Sequence, residues 1–174
     1  MDGATASLKL KHIDIDQGRV DQDARQVKTK FSKSFTTWFF PVGNDIRQIV
    51  VDWVNFLRRE KLWGLDDPLF PATKIVVGET RNFETSGLDR THWSSAGPIR
   101  AIFKGAFAMA VLPYCNPHSF RRTLALLGGE ICKSPEEYKA WSQNLGHDNV
   151  LTTFSSYGDV GHLRQAEIIR SLGA

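Results

Sequence analysis

The chain has 174 residues, of which 41% are hydrophobic and 24% are charged, and its formal net charge is +3 at pH 7. This length suits one ordinary domain with a hydrophobic core, and the composition is close to the soluble average, which excludes disordered and fibrous classes. The most apolar segments, 46–57 and 99–112, are interrupted by polar residues or glycine and are too short to span a bilayer. We therefore expect a single globular domain with no membrane partner.

Cysteine usage and the N-terminal sequence bear on compartment and cofactors. Cys115 and Cys132 are the only cysteines, no CxxC or Cys/His spacing frames a zinc site, and no apolar run follows basic residues at the N-terminus. We expect a cytoplasmic protein without a metal or another cofactor. The first third is rich in basic residues, which a solvated face would explain and a polyanionic partner would also suit. These residues are Lys9, Lys11, Arg19, Arg25, Lys28, Lys30 and Lys33.

Three short runs near the N-terminus predict a small antiparallel sheet. Residues 8–15, 19–27 and 34–42 contain many β-branched and aromatic side chains, and an Asp-Gln-Gly turn and the polar stretch 28–33 separate them. The rest of the chain shows mainly helical periodicity. The expected fold class is therefore α+β, mainly helical, with a three-stranded antiparallel sheet near the N-terminus.

Two helices and a long connection are predicted in the middle of the chain. Apolar residues recur at helical spacing over 46–57 behind a start signal at Asn44, and again over 99–110 behind Pro98. Between these helices, residues 63–95 are rich in Gly, Pro, Asp and Thr, which predicts an irregular excursion with one short strand near 75–77.

The last third is predicted to be helical. Asn116-Pro117 provides an N-cap and a first-position proline for a helix over 118–127, which Gly128-Gly129 would end. Its buried stripe should be Phe120, Leu124 and Leu127. Ser134-Pro135 would start a further helix ending near Asn144. A short helix over 150–154 and an amphipathic tail over 159–172 complete the chain.

Four side chains in this part of the chain suggest phosphate chemistry. His118 and Arg121 lie one turn apart on the predicted helix, and a guanidinium fork and an imidazole suit an anion. Gly146 should end the next helix and place His147 at a sharp corner, and Tyr157 follows ten residues later. Taken singly, each residue also fits a structural role as a cap, a surface cation or a half-buried aromatic.

The ordered pattern HxxR, then LGH, then TT and a Tyr near the C-terminus resembles the tyrosine recombinase (phage integrase) family. The resemblance covers nearly the whole chain and implies a fold like that of DNA breaking-rejoining enzymes over a catalytic domain at 1–174. It implies catalytic roles for His118, Arg121, His147 and Tyr157. It also places a catalytic lysine between the second and third strands, for which Lys28 is preferred over Lys30.

The resemblance implies a function and partners. The expected activity is site-specific recombination or integration of double-stranded DNA through a 3′-phosphotyrosyl intermediate, by subunits that associate on DNA as a tetramer through the C-terminal helix. The family's first catalytic arginine falls at Met1 or before it, and Asp2-Gly3-Ala4 carries none. The family's N-terminal core-binding domain is also absent from this sequence. We therefore expect a truncated fragment with impaired activity.

Three other functions remain open at this stage. A non-catalytic DNA-binding or regulatory module with a recombinase-like fold would be consistent with the missing arginine. A metal-dependent hydrolase using His118 and His147 is disfavoured because no His/Asp cluster has ligand spacing. A small helical interaction protein would make the ordered motifs accidental. The sequence does not give the DNA target, and it does not distinguish integration from excision or resolution.

Overall fold

The computed structural model describes residues 2–147, 149–154 and 161–172. Helices account for about half of the described residues, and they accompany a three-stranded antiparallel sheet near the N-terminus, whose strands lie side by side in chain order, and a two-stranded sheet. The α+β class and the small N-terminal sheet predicted from the sequence are confirmed. The chain divides into two compact units, one ending at Pro117 and the other starting at His118.

The first unit contains both sheets and three α-helices. Its helices are α1 (Asp2–Ser7), α2 (Asn44–Asn55) and α3 (Gly97–Met109), and a π-helical turn over Phe56–Glu60 continues α2. The strands are β1 (Ile13–Asp14), β2 (Arg19–Gln22), β3 (Phe35–Trp38), β4 (Pro71–Val77) and β5 (Phe83–His92). Its hydrophobic core is formed by Ala4, Leu8, Leu10, Ile13, Val27, Val54, Leu57, Trp63 and Leu69.

The strand predicted from residue 8 is wrong in its first half. Leu10–His12 forms a 3₁₀ turn, in which the His12 amide donates to the Lys9 carbonyl at 3.0 Å. The backbone here bonds to the segment before β4 rather than to β2, since Leu69 N donates to Leu8 O at 2.8 Å. Local bonds and a non-local partner therefore override β propensity, and only two residues pair as β1.

The irregular excursion predicted over 63–95 is also wrong, except that its expected short strand at 75–77 lies within β4. Strands β4 and β5 pair antiparallel through most of it, with register shifts between Pro71 and Ile75. Gly87 lies within β5 at φ 87, far from ordinary strand geometry. These irregularities break the alternation of apolar and polar residues by which a strand is recognised in a sequence.

The second unit is helical over its described residues. It contains α4 (Pro117–Ile131, which starts at the boundary), α5 (Pro135–Asn144), α6 (Leu151–Phe154) and α7 (His162–Ser171). The predicted N-cap of α5 is confirmed, because the Ser134 side chain accepts a hydrogen bond from the Glu137 amide at 3.1 Å. Within the described residues, no helix is long and apolar enough to cross a membrane.

Helix α4 differs from its prediction in two respects. It continues through Gly128-Gly129 to Ile131. Gly128 is buried at a point where a Cβ would collide with the Trp141 indole. The glycine therefore serves close helix packing and not a C-cap. Phe120 is 48% exposed, and the buried positions of α4 are Ala125 and Gly128. The expected place of Phe120 in a buried stripe is wrong.

Candidate functional site

The turn that ends α5 holds His147 in a fixed position. Gly146 adopts φ 72, and its amide donates to Gln143 O at 2.7 Å while the His147 amide donates to Ser142 O at 3.1 Å. These two bonds form a Schellman motif, which needs a residue in the left-handed region at the glycine position. The predicted role of Gly146 in ending the helix is confirmed, and the turn fixes the backbone position from which the His147 side chain projects.

Arg121 on α4 contacts this corner directly. Its Nε donates a hydrogen bond to His147 Nε2 at 3.2 Å, and its Nη2 donates to the Leu145 carbonyl oxygen. The arginine is half-buried, and burial lowers the pKa of its guanidinium from the usual range. Because arginine stays protonated in proteins, the site retains a fixed positive charge next to the imidazole.

The other ring nitrogen of His147 is bonded to buried hydroxyls. His147 Nδ1 lies 2.7 Å from Thr153 Oγ1, and Thr153 donates in turn to Ser142 Oγ at 2.8 Å. Since Nε2 accepts from Arg121, the proton of neutral His147 belongs on Nδ1, which donates to Thr153. Thr153 and Ser142 are fully buried. The chain of bonds therefore fixes both the ring orientation and the tautomer.

The electrostatics of the site favour neutral His147. Burial lowers the pKa of His147, and the positive charge of Arg121, together with that of His118 when its ring is protonated, lowers it further. His118 is exposed in the first turn of α4 and lies within electrostatic reach of the ring. Three of the predicted site residues, His118, Arg121 and His147, are therefore brought together in the second unit.

Lys28 belongs to the first unit, on the connection between β2 and β3. Its side chain is exposed, and its amide donates to Ser7 Oγ at the end of α1 at 2.8 Å. Lys28 lines a pocket of ≈ 270 Å³. Other residues of this pocket include Lys9, His92, Trp93, Ser94 and Ser95, from the segment after α1 and the end of β5. The connection therefore presents Lys28 beside a second lysine and hydroxyl groups.

Lys30 has a different environment from Lys28. Its ammonium lies over the Phe31 ring, 4.8 Å from the ring centroid. Tyr157, the predicted nucleophile, lies outside the described residues. In the part of the chain that the structure describes, no group of three or more His, Cys, Asp or Glu residues could hold a metal ion.

Sequence reasoning missed Ser142 and gave no separate role to Thr153. Thr153 was visible as part of the TT pair, but nothing in the sequence shows that its hydroxyl meets the His147 ring. Ser142 lies on α5, five residues before His147, and its hydroxyl accepts a hydrogen bond from Thr153 on α6. Both contacts depend on tertiary packing of α5 against α6.

No protein-family model and no curated protein matches this chain. Among solved structures, the fold is similar to the crystal structure of XerA recombinase, with a TM-score of 0.60 and 16% sequence identity. The match covers 98% of this chain and 52% of that chain, so this chain spans about half the length of the structure that it matches. The fold thus resembles that of a recombinase, over nearly all of the chain.

Proposed function

We propose that residues 1–174 form the catalytic domain of a tyrosine-type site-specific DNA recombinase. The observation that carries the proposal is the Arg121–His147 pair, held at a helix corner by two buried hydroxyls, ten residues before Tyr157 in the sequence. The likeness of the fold to XerA recombinase supports the same class. Double-stranded DNA is the proposed partner.

In the proposed reaction, the Tyr157 phenolate oxygen attacks a DNA phosphorus atom in line with the bond to the 5′-oxygen. A Tyr157–phosphate bond forms and the phosphorus–O5′ bond breaks, leaving a 3′-phosphotyrosyl link and a 5′-hydroxyl. The tyrosine proton passes to a base, for which His118 is the candidate, and Lys28 protonates the departing 5′-oxygen. Tyrosine has an unperturbed pKa near 10, so the attack at neutral pH needs such a base or a strong positive field.

Arg121 and His147 would stabilise the charge on the non-bridging phosphate oxygens. A guanidinium in a half-buried site suits this role, since charged donors there act with little solvent screening. In the free protein, His147 Nε2 accepts from Arg121 and therefore has no proton to donate to phosphate. Substrate binding must turn Arg121 toward the phosphate and give His147 a proton on Nε2. Catalytic hydrogen bonds often reach their final geometry only when the substrate is bound.

Self-association on DNA is proposed to use α7. Its apolar residues are largely exposed within the described chain, with Leu163 at 86% and Ile169 at 64%. An amphipathic helix with an exposed apolar side suits docking on a neighbouring subunit. We propose a tetramer as the working assembly.

The test is a suicide substrate, a nicked duplex whose cleavage releases a short strand and traps the covalent adduct. The chain, or a longer natural protein that contains it, should form a protein–DNA adduct that resists denaturation, and Tyr157→Phe should abolish it. Tyr114→Phe is the matched control, because Tyr114 is another tyrosine of the chain and is 48% exposed, and it should leave the adduct yield unchanged. Absence of an adduct from a longer protein that also carries the upstream arginine, or an adduct formed by Tyr157→Phe, overturns the nucleophile assignment.

A non-catalytic DNA-binding module is the second candidate. It is favoured by the bonds that Arg121 makes inside the protein, since its head group donates to both the Leu145 carbonyl and His147. A module of this kind would bind duplex DNA without forming any covalent adduct. Loss of Arg121 would then lower stability, whereas in an enzyme it would also lower the adduct rate by about a hundredfold or more.

A further inference from the structure

Phe31 is a large aromatic residue on the surface of the β2–β3 connection. Its side chain is 85% exposed, although nearly all of the aromatic surface of such a residue is normally withdrawn from water. Single exposed hydrophobic residues are common and carry no inference alone. Phe31 differs from these in its backbone conformation and in the charges around it.

The backbone at Phe31 lies in the left-handed region. Phe31 has φ 58 and ψ 26, and Ser32 follows with φ 50. A bulky residue at positive φ is a true outlier, because its Cβ crowds the backbone, and glycine or asparagine would fill the position without that cost. Strained positions of this kind are often found where function needs the side chain. The fold thus presents a phenyl ring at a point where the backbone favours a small residue.

The sequence around Phe31 carries charge of one sign. From residue 24 to residue 44 it contains no Asp or Glu, while Lys28, Lys30 and Lys33 lie within three residues of Phe31 along the chain. All three lysines are exposed, and the Lys30 ammonium lies 4.8 Å from the Phe31 ring centroid. A ring with an ammonium over its face, in a lysine-rich segment that contains no acidic residue, matches a ligand that offers phosphates beside apolar surface. Nucleic acid has this chemistry, with phosphates flanking the sugars and bases.

We propose that Phe31 is a DNA wedge, whose ring packs into a groove of the bound duplex against sugars and base edges while the flanking lysines bind phosphates. The inference rests on the proposed function, in which the chain binds double-stranded DNA. It identifies the β2–β3 connection as a surface that contacts the duplex. The lysines then supply the salt-dependent part of the affinity, and the ring supplies a part that does not depend on salt.

The experiment measures fluorescence anisotropy of a fluorescein-labelled random-sequence duplex against the full chain over a series of salt concentrations. Phe31→Ala should weaken binding by about ten- to a hundredfold at every salt concentration, which is the effect of burying one phenyl ring. The slope of log Kd against log salt should not change. Lys30→Gln should instead reduce the slope by about 0.9, the contribution of one phosphate contact.

Phe83 provides a matched control on the β4–β5 hairpin. It is 82% exposed, close to the 85% of Phe31, but it has ordinary strand geometry. Phe83→Ala should bind the duplex as the wild type does. Phe31→Gly controls for folding, because glycine adopts φ 58 without strain and the variant should melt no lower than the wild type while its DNA affinity falls.

The outcomes separate the two proposals. If the wild-type chain does not bind the duplex at low salt, the proposed function fails. If it binds and Phe31→Ala binds equally well, or if Phe83→Ala loses as much affinity, the wedge is wrong and the exposed ring serves another contact, such as a protein partner. A ring effect that disappears at high salt would also overturn the proposal, because a phosphate contact and not apolar packing would then be lost.

Discussion

Arg121 Nε donates a hydrogen bond to His147 Nε2 at 3.2 Å, so the guanidinium occupies the ring nitrogen that a phosphate oxygen would need. Protonation of His147 removes this acceptor and brings two positive charges together. The free site therefore stabilises neutral His147, whereas a bound phosphate would stabilise the cation. Proton uptake by His147 and phosphate binding are expected to be coupled.

The first prediction concerns the ionisation of His147. In the free chain its pKa should lie below the usual 6.5, because of burial first and of the charge of Arg121 second. Arg121→Gln should raise the pKa part of the way back, since it removes the charge but leaves burial. Histidine ring signals in an NMR pH titration measure this change. Addition of a short duplex should raise the pKa in the wild-type chain.

Arg122→Gln is the control for this titration. Arg122 is the neighbouring residue on α4 and is exposed, so the substitution removes the same charge without touching the ring. The His147 signal should titrate as in the wild type. An equal rise in the pKa of His147 in both variants would mean that net charge acts at long range, and that the 3.2 Å contact does not matter.

The second prediction concerns stability and pH. His147 binds fewer protons in the folded chain than in the unfolded chain, because its folded pKa is lowered from 6.5. Its stabilising contribution is therefore fully present above about pH 6.5 and is lost as the pH falls through the lower folded value. Urea unfolding at a series of pH values should show the free energy of unfolding falling with acidity in this window. His147→Gln should flatten the fall.

The third prediction concerns Thr153, which positions the His147 ring. Thr153→Val keeps the shape but removes the hydroxyl, leaving His147 Nδ1 and the buried Ser142 hydroxyl without this partner. An unsatisfied buried polar group costs about 1–3 kcal/mol, so the free energy of unfolding should fall by that order. Thr153→Ser retains the hydroxyl, so it should keep most of the free energy of unfolding that Thr153→Val loses with the missing bonds.

A role in positioning predicts more than a stability change for Thr153. The Thr153→Val variant should also change the His147 titration, because its ring loses the bond that fixes the Nδ1 proton. In the adduct assay it should be slower than Thr153→Ser. A stable Thr153→Val protein with a wild-type titration would contradict the hydrogen-bonded chain.

The sequence predicts correctly the elements that interactions between neighbouring residues determine, and it fails where residues distant in the sequence determine the structure. Helix α5 was predicted at both ends, because Ser134 caps it locally and Gly146 ends it locally. Segment 8–12 was misread, because its backbone bonds to residues near Asp67 that no local pattern reveals. At the site, HxxR and LGH indicated Arg121 and His147, but the bond between their side chains depends on how α4 packs on α5.

The last prediction tests that packing, on which the Arg121–His147 contact depends. Gly128 on α4 lies against Trp141 on α5, whose indole Nε1 donates to the Leu124 carbonyl at 2.8 Å. Gly128→Ala would push the indole away and should cost about 1–3 kcal/mol of stability by overpacking, which exceeds the helix-propensity gain of about 1 kcal/mol. Gly129→Ala, at an exposed helical position, should instead stabilise the chain by about that gain. Urea unfolding of the two variants measures both effects, and stabilisation by both would show that the helices separate without cost and that α4 packing does not hold the site.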